Sequence, residues 1–487
     1  MTPLFAVIIP MAGAFILPLA HMYRHTLPGK VIPLWGVMTF AASISAAVAG
    51  WEEPTVAFMG GWAAELGIVL VVDKLSAAFL ILAAFGSGSA LLLNYGRMAG
   101  GPWRYYVLFF LLQAATNGII VTGDMFNLFV GYEIFSVAAY LLVAFTMSWQ
   151  ALEAGLKYLI LGTIGAMFIL LGTTYIFMAT GTLNFAVLAS QMTQVPPETL
   201  SVIAACLLIG LSLKIGAFPF HFWLPDAHSS ARTAISALLS GVMIKVSIYA
   251  LIRVSFLFFY QSKPEIFTAI AALGTLSILG GHILAYRQRD IKRLLAYSTV
   301  AQIGYILVGV GSGTAAGVTA AVFHAFGHMV MKSGLFITAG HLADDMKTRE
   351  ISEMKGLFRY RPRFVTVFSL LVAGIVGIPP LAGFMGKWFL MLASTKAGNI
   401  LPALALGAGT VISAVYYLRV LKSFFAPGDQ PSRRRPAFWP LAVSGTLAAC
   451  CVMLGLLPFL SPLWGVFASI GDQTLDVAGY IAVVTGR

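Results

Sequence analysis

Seven residues able to carry a proton lie within apolar stretches of this chain. Glu133 lies in MFNLFVGYEIFSVAAYLLVAF, Lys214 in LLIGLSLKIGAF and Lys245 in ALLSGVMIKVSIYAL. Lys387 follows a Gly/Pro break in LVAGIVGIPPLAGFMGKWFL. His324, His328 and Lys332 are spaced four apart, so they line one face of a single helix. Ser298, Gln302 and Tyr305 form a milder polar stripe by the same spacing. Placing a charge at a bilayer centre costs about 2.5–3.5 kcal/mol on insertion scales, so these residues need a reason. The chemistry they suit is proton relay. A carboxylate near a buried lysine favours its charged form, so moving Glu133 relative to Lys214 switches the lysine between holding and releasing a proton. Lys245 is placed to receive it. Histidine titrates near neutral pH, which suits His324 and His328 to passing a proton through bound water. Lys387, at a helix break, hands it on towards one side.

The plainer alternative is structural: ion pairs that hold helices together, with long cations reaching towards the interface. Arg253, near a helix end, reads as an interface anchor, and Asp73 and Lys74 as local helix-start residues. Other chemistry is absent from the sequence. No G-x-x-x-x-G-K-[ST] follows the clustered glycines of FGSGSALLL or VGVGSGTAAG. No Cys/His cluster has metal spacing, no glutamate follows the first histidine of the His324/His328 pair, and no Gly-x-Ser-x-Gly elbow is present. Cys206, Cys450 and Cys451 lie in apolar runs and read as small core residues. We therefore expect no metal and no cofactor. A self-contained enzyme is not indicated, although the chain fits a subunit of a redox-driven ion pump.

The elements that must position these groups are membrane helices. Of 487 residues, 59% are hydrophobic and only 10% charged, against about 25% charged in soluble domains. Apolar runs of spanning length fall near 3–22, 31–50, 74–96, 104–122, 125–147, 156–180, 201–222, 234–257, 266–285, 292–311, 315–341, 364–394, 400–424 and 438–460. The segment 55–72 is short and broken by glycine, and reads as a surface hairpin. Odd-numbered connectors carry Arg24 and Lys30; Arg97 and Arg104; Lys157; Arg232; Arg287, Arg289, Lys292 and Arg293; Lys347, Arg349, Lys355, Arg359, Arg361 and Arg363; and Lys422 with Arg433, Arg434 and Arg435. Even-numbered ones are nearly bare of cations apart from Lys263 and Lys396, and the second carries Glu52, Glu53 and Glu65. This alternation is the positive-inside pattern; it puts odd connectors in the cytoplasm and both termini outside. It also explains the net charge of +12 without nucleic acid. No cation precedes the first apolar run, which argues for a retained helix rather than a cleaved signal peptide. Two helices, around 201–228 and 371–390, combine a Gly/Pro break with a lysine at membrane depth, the mark of a transporter built from repeats.

The stretches GDMFNLFVGYEIFSVAAYLL, LKIGAFPFHFWLPDAHSSARTAISALLSGVMIKVSIYALIRV, RDIKRLLAYSTVAQIGYILVG, HAFGHMVMKSGLF and GIPPLAGFMGKW carry a resemblance over nearly the whole chain. It is to the proton-conducting antiporter-like subunits of respiratory complex I, membrane-bound hydrogenases and multisubunit Mrp Na+/H+ antiporters. The stretch EAGLKYLILGTIGAMFILLGTTYIFMATGTLNFAVLA most resembles the D-type Mrp subunit, while WLPDAHSSA is closer to the hydrogenase and complex I style. The resemblance implies an all-α polytopic membrane protein of about 14 transmembrane helices, with two inverted five-helix repeats and discontinuous helices 7 and 12. It implies a division into 1–103 (helices 1–3), 104–257 (helices 4–8), 266–424 (helices 9–13) and 438–487 (helix 14 and tail), within one transmembrane domain. It assigns Glu133 and Lys214 as a pair, Lys245, His324 and His328 as relay groups, and Lys387 as the terminal site, with Lys332 on the same row. His221, Asp226, His228, Ser298 and Gln302 supply supporting polar groups.

The implied partners are other membrane subunits of a hetero-oligomeric complex, protons, Na+ and the lipid bilayer of a bacterial or archaeal cell membrane. Lys387 stands where one of the three complex I antiporter-like subunits carries glutamate, and the chain ends soon after helix 14, without the long lateral helix of the largest such subunit. Arg232 stands where many relatives have proline. Rival readings are a stand-alone Na+/H+ antiporter, a purely structural scaffold subunit, and a redox enzyme whose chemistry would belong to its partners.

Overall fold

The computed structural model describes residues 2–64, 67–97, 102–428 and 438–486, without the side chains of 95–97, 461 and 463. The connector charges Glu65, Arg433, Arg434 and Arg435, and the Arg97 side chain, lie outside the described residues. Among those described, 13 helices are long and apolar enough to cross a membrane. In chain order, spans 1 to 6 are Thr2–Tyr23, Pro28–Glu52, Lys74–Arg97, Trp103–Val121, Met125–Ala144 and Trp149–Thr180. Spans 7 to 11 are Pro197–Ile215, Thr233–Phe259, Glu265–Tyr286, Ile291–Val310 and Ala315–Met346. Spans 13 and 14 are Ile400–Phe425 and Phe438–Phe459. Span 12 is split into Pro362–Val376 and Ala382–Lys396, which completes the fourteen.

The chain folds as an all-α polytopic membrane protein with two inverted five-helix repeats. Matching local devices recur in two sets of five, spans 4–8 and spans 9–13. The third helix of each, span 6 and span 11, has 32 residues. The second opens on an aspartate cap: Asp124 accepts from Asn127 N and Asp290 from Arg293 N. Each aspartate also forms a β-bridge to a residue just after the third helix, Asp124 with Asn184 and Asp290 with Glu350. The fourth helix of each is broken. Span 7 ends at Gly216 (φ 71°) and the first half of span 12 at Gly377 (φ 97°), left-handed conformations that glycine adopts without steric cost. A cis X-Pro bond follows in both, Phe218–Pro219 and Pro379–Pro380. Beyond the first break the short helix Trp223–Ser230 resumes, tied back by Trp223 Nε1 donating to Leu213 O at 3.0 Å.

Spans 8, 10 and 11 are buried almost throughout, whereas spans 1, 2, 6, 13 and 14 turn most of their surface outward. The apolar exterior thus belongs to the periphery and the buried lysines and histidines to the interior.

Three sequence expectations change. Span 6 starts at Trp149, capped by Ser148, so Lys157 lies in the helix instead of a connector. Glu153 and Lys157 interrupt the apolar run, yet at i,i+4 they pair at 2.8 Å and support the helix. The segment 55–72 is a hairpin of β1 (Thr55–Phe58) and β2 (Val69–Val72), but β2 is wholly buried, so the hairpin is a plug more than a surface feature. Residues after span 14 form two further helices, Ser461–Leu475 and Val477–Thr485, the first packed on spans 11 and 3.

Candidate functional site: a buried row of ionisable side chains

Lys214 lies in the last turn of span 7, just before the break, with its side chain buried. Its Nζ donates to Ser136 Oγ at 2.8 Å and sits 5.5 Å from the Tyr132 ring. Glu133 and Ser136 are three residues apart, hence neighbours on one face of span 5. Glu133 is half-buried and close enough to act on Lys214 electrostatically, but the ammonium is engaged by Ser136. The expected Glu133–Lys214 pair is therefore proximate, not a direct contact.

Lys245 is fully buried on span 8, just after a wider π-turn at Leu239–Met243. Such turns leave backbone groups free for side chains. Lys245 Nζ donates to Ser240 O and meets His328 Nδ1 at 2.5 Å. Among the described residues no hydrogen bond joins Lys214 to Lys245. Tyr132 and Ser247, close in sequence to Glu133 and Lys245 respectively, are buried and face each other between the two lysines.

Span 11 carries the middle of the row. The His324 and His328 rings are parallel within 7°, with centroids 6.5 Å apart. His324 Nε2 donates to Gln302 Oε1 at 2.8 Å. One turn beyond His328, Lys332 Nζ donates to Leu295 O at 2.7 Å, to Ser298 Oγ, and to Tyr417 Oη at 3.3 Å. Lys387 ends the row. Its Nζ donates to Ile375 O (2.9 Å) and Val376 O (3.0 Å), carbonyls left without helical partners by the break in span 12. It lies 5.0 Å from the Tyr305 ring, which itself stacks 5.7 Å from His324. The structure thus brings Lys245, His328, His324, Gln302 and Lys387 into one neighbourhood, with Lys332 and Ser298 beside it.

The other supporting groups differ in position. His228 is fully buried and stacked 4.6 Å from Phe336, and neither ring nitrogen has a hydrogen-bond partner among the described residues. His221 is buried at the span 7 break between Phe218 and Phe222. Asp226 stands apart from the row. It pairs with Lys157 (2.9 Å) and Arg293 (2.7 Å), clamping spans 6 and 10 to the short helix. Burial would raise its carboxyl, but the hydrogen bonds from Lys157 and Arg293 outweigh that and hold it below the usual carboxylate range.

Arg253 overturns the interface-anchor expectation. It is buried and forks onto Asp73 at 2.7 and 2.6 Å, with Ser76 and Tyr249 as further partners and Tyr480 beneath it. Asp73 and Arg253 are 180 residues apart, so no local pattern betrays the pair. Arg232 lies over the rings of Phe145 and Tyr105, at 5.3 and 6.0 Å. Sequence reasoning also passed over His282, Tyr416 and Tyr417, all fully buried beside Lys332 and Tyr305. A lone histidine in the apolar run TLSILGGHILAY was the available signal.

A transmembrane profile described as NADH:quinone oxidoreductase/Mrp antiporter matches residues 122–413, which include every group of the row. The chain belongs to that family. It is 35% identical over 450 residues to the N-type subunit of the NADH-quinone oxidoreductase of Desulforudis audaxviator, covering 89% of this chain and 88% of the relative. It is 31% identical over 488 residues to the D-type subunit of the Na(+)/H(+) antiporter of Alkalihalophilus pseudofirmus, covering 98% of both. Among solved structures it is similar to a chain of the membrane-bound sulfane sulfur reductase, an archaeal respiratory membrane complex. That match has 29% identity, 99% coverage of each chain and a TM-score of 0.93. The similarity to the antiporter subunit and to the sulfane sulfur reductase chain runs nearly end to end, so the fold is shared over the whole chain.

Proposed function

We propose that this chain is a proton-translocating, antiporter-like subunit of a multisubunit membrane complex, the D-type subunit of an Mrp cation/proton antiporter. The observation that carries the proposal is the buried sequence Lys245–His328–His324–Gln302 with Lys387 at its end, flanked by the Glu133/Lys214 couple. The near end-to-end relation to a Na+/H+ antiporter subunit of that type supports the choice of machine. In this reading the chain works beside other membrane subunits and lipid in the cell membrane of a bacterium or archaeon. Odd connectors face the cytoplasm and both termini lie outside. Na+ is the exchanged ion of the assembly.

The couple works by distance. Two unit charges about 4 Å apart at an effective dielectric of about 20 interact by about 4 kcal/mol, and at about 8 Å by about half that. A difference of about 2 kcal/mol exceeds tenfold in an equilibrium constant. Drawing Glu133 closer to Lys214 holds a proton there; letting it move away, with Ser136 as the resting partner, releases the proton towards Lys245. His328 takes it at 2.5 Å; Lys332, one turn along the same helix face, carries charge within the same row. His324 and Gln302 continue the path, and Lys387 delivers it. Buried polar atoms without a partner among the described residues, here on His324, His328 and Gln302, are where ordered water connects such groups.

A second reading is favoured by the 35% identity to a quinone oxidoreductase subunit and by the fold match to a respiratory complex: the same proton route, powered by redox partners. The route is tested by Glu133→Ala and Lys214→Ala in the whole complex. Both should abolish ion-driven activity while the complex assembles. Full activity of a correctly assembled Glu133→Ala complex contradicts the proposal, and loss of assembly in both variants favours a scaffold role.

A further inference from the structure

Away from the row, a cavity of about 290 Å³ opens at the end of the bundle where spans 8 and 10 begin and span 11 ends. In the proposed orientation this end faces the cytoplasm. One water needs only roughly 10–15 Å³ of such space. Arg232, Lys292 and Arg349 line the cavity. Each is held by its neighbours. The Arg232 guanidinium lies 5.3 Å from the Phe145 ring, Lys292 Nζ donates to Ala231 O at 3.3 Å, and Arg349 Nη1 donates to Ser229 O at 2.6 Å. Both carbonyls lie at the joint between the short helix Trp223–Ser230 and span 8. Thr233 and Ala234, in the opening turn of span 8, line the same cavity. Arg232 occupies the cap position there and its side chain makes no capping bond, while a first helical turn has backbone N–H groups without helical partners. Among the described lining residues Asp344 is the only acid, so three cations against one carboxylate leave a formal charge of +2.

We propose that this cavity binds a dianionic phosphate group, as inorganic phosphate or a phosphate monoester. Such a group carries a charge of about −1.5 to −2 at pH 7, which matches the excess of the lining. Its terminal oxygens accept from several donors at once, and a guanidinium can meet two of them through parallel N–H bonds. Chloride or a single carboxylate would offset half of the charge and engage fewer donors. The occupant ties Arg232 at the start of span 8, Lys292 on span 10 and Arg349 beyond span 11 to one anion. It thereby braces the joint behind the broken helix, on the span that carries Lys245. The site stands whether or not the row conducts protons. The plainer alternative is a solvated basic mouth that serves orientation alone and prefers no anion.

The test follows the melting temperature of the whole complex in a neutral, phosphate-free detergent. Inorganic phosphate is titrated at about pH 8, above its second pKa of about 6, against chloride at equal ionic strength. Phosphate should raise the melting temperature saturably, and chloride should not. Arg232→Gln should weaken the apparent affinity at least about tenfold, as expected for one lost charge-assisted bond. Arg363→Gln, which removes an exposed cation outside the cavity, should leave it unchanged. A parallel titration with phosphatidic acid separates the sources. Stabilisation by inorganic phosphate supports a soluble ligand, and stabilisation by phosphatidic acid alone supports a lipid headgroup, in each case when Arg232→Gln loses the response. No stabilisation by either, or equal stabilisation of wild type and Arg232→Gln, overturns the site. Should Arg232→Gln fail to assemble, Arg349→Gln is judged by the same criteria.

Discussion

Lys332→Met separates a proton carrier from a structural cation. The lysine is fully buried and gives up three hydrogen bonds on replacement, to Leu295 O, Ser298 Oγ and Tyr417 Oη. Those partners are not left orphaned. Ser298 Oγ still donates to Leu295 O at 2.9 Å and still meets Tyr417 Oη at 3.0 Å. Each lost bond is worth about 1 kcal/mol net, while removing a buried ion relieves a desolvation cost of several kcal/mol. The two nearly cancel, so the stability change should stay within about 2 kcal/mol, and methionine fills a similar volume. Flux should fall at least about tenfold, equivalent to about 1.4 kcal/mol on the barrier. The assay reconstitutes the whole complex in vesicles with an internal pH-sensitive fluorophore, alongside quantification of assembled complex and its melting temperature. Unchanged flux, or a collapse of assembly with normal flux in what remains, would refute this reasoning.

The buried pair should behave in the opposite way. Asp73→Ala leaves the Arg253 guanidinium buried with its carboxylate gone, which costs about 3–5 kcal/mol; thermal denaturation should show a large loss of folded protein, and a wild-type melting curve would count against the pairing. Gly383→Ala places a Cβ 1.9 Å from Gly374 O across the break in span 12. It should spread the two halves, weaken the grip of Ile375 and Val376 on Lys387, and lower flux with Lys387 itself intact. Asp226→Asn removes the anion of the Lys157/Arg293 clamp. Because that carboxyl is held below its ordinary value in the fold, its stabilisation is present above the unfolded value of about 3.9 and lost as pH falls through the lower folded value. The stability gap between wild type and variant should therefore be constant over about pH 5–8 and close only in stronger acid, as read by melting temperature across pH.

Much of the scaffold is legible from charge placement, because most cations gather in alternate connectors between spans. The two breaks are legible because Gly216/Pro219 and Gly377/Pro379 cannot continue a helix. What hides is what depends on packing. The start of span 6 reads as a loop because Glu153 and Lys157 interrupt its hydropathy, although they pair along one helix face. The closing helices after span 14 carry Pro462, Asp472 and Asp476, which lower their apolar signal.

In the site, residue types expose the lysines and histidines, but not what they touch. Ser136 instead of Glu133 holds Lys214, and Asp73 finds Arg253 across 180 residues. His282 gives no periodic signal; its two tyrosines come from spans 10 and 13.

The central claim is that protons pass along the row, and Lys245 is its midpoint, fully buried and 2.5 Å from His328 Nδ1. The most direct test is proton uptake into vesicles bearing the intact complex, wild type against Lys245→Met, normalised to assembled complex. The account predicts normal assembly with uptake reduced at least about tenfold. Wild-type uptake by the assembled Lys245→Met complex would contradict it.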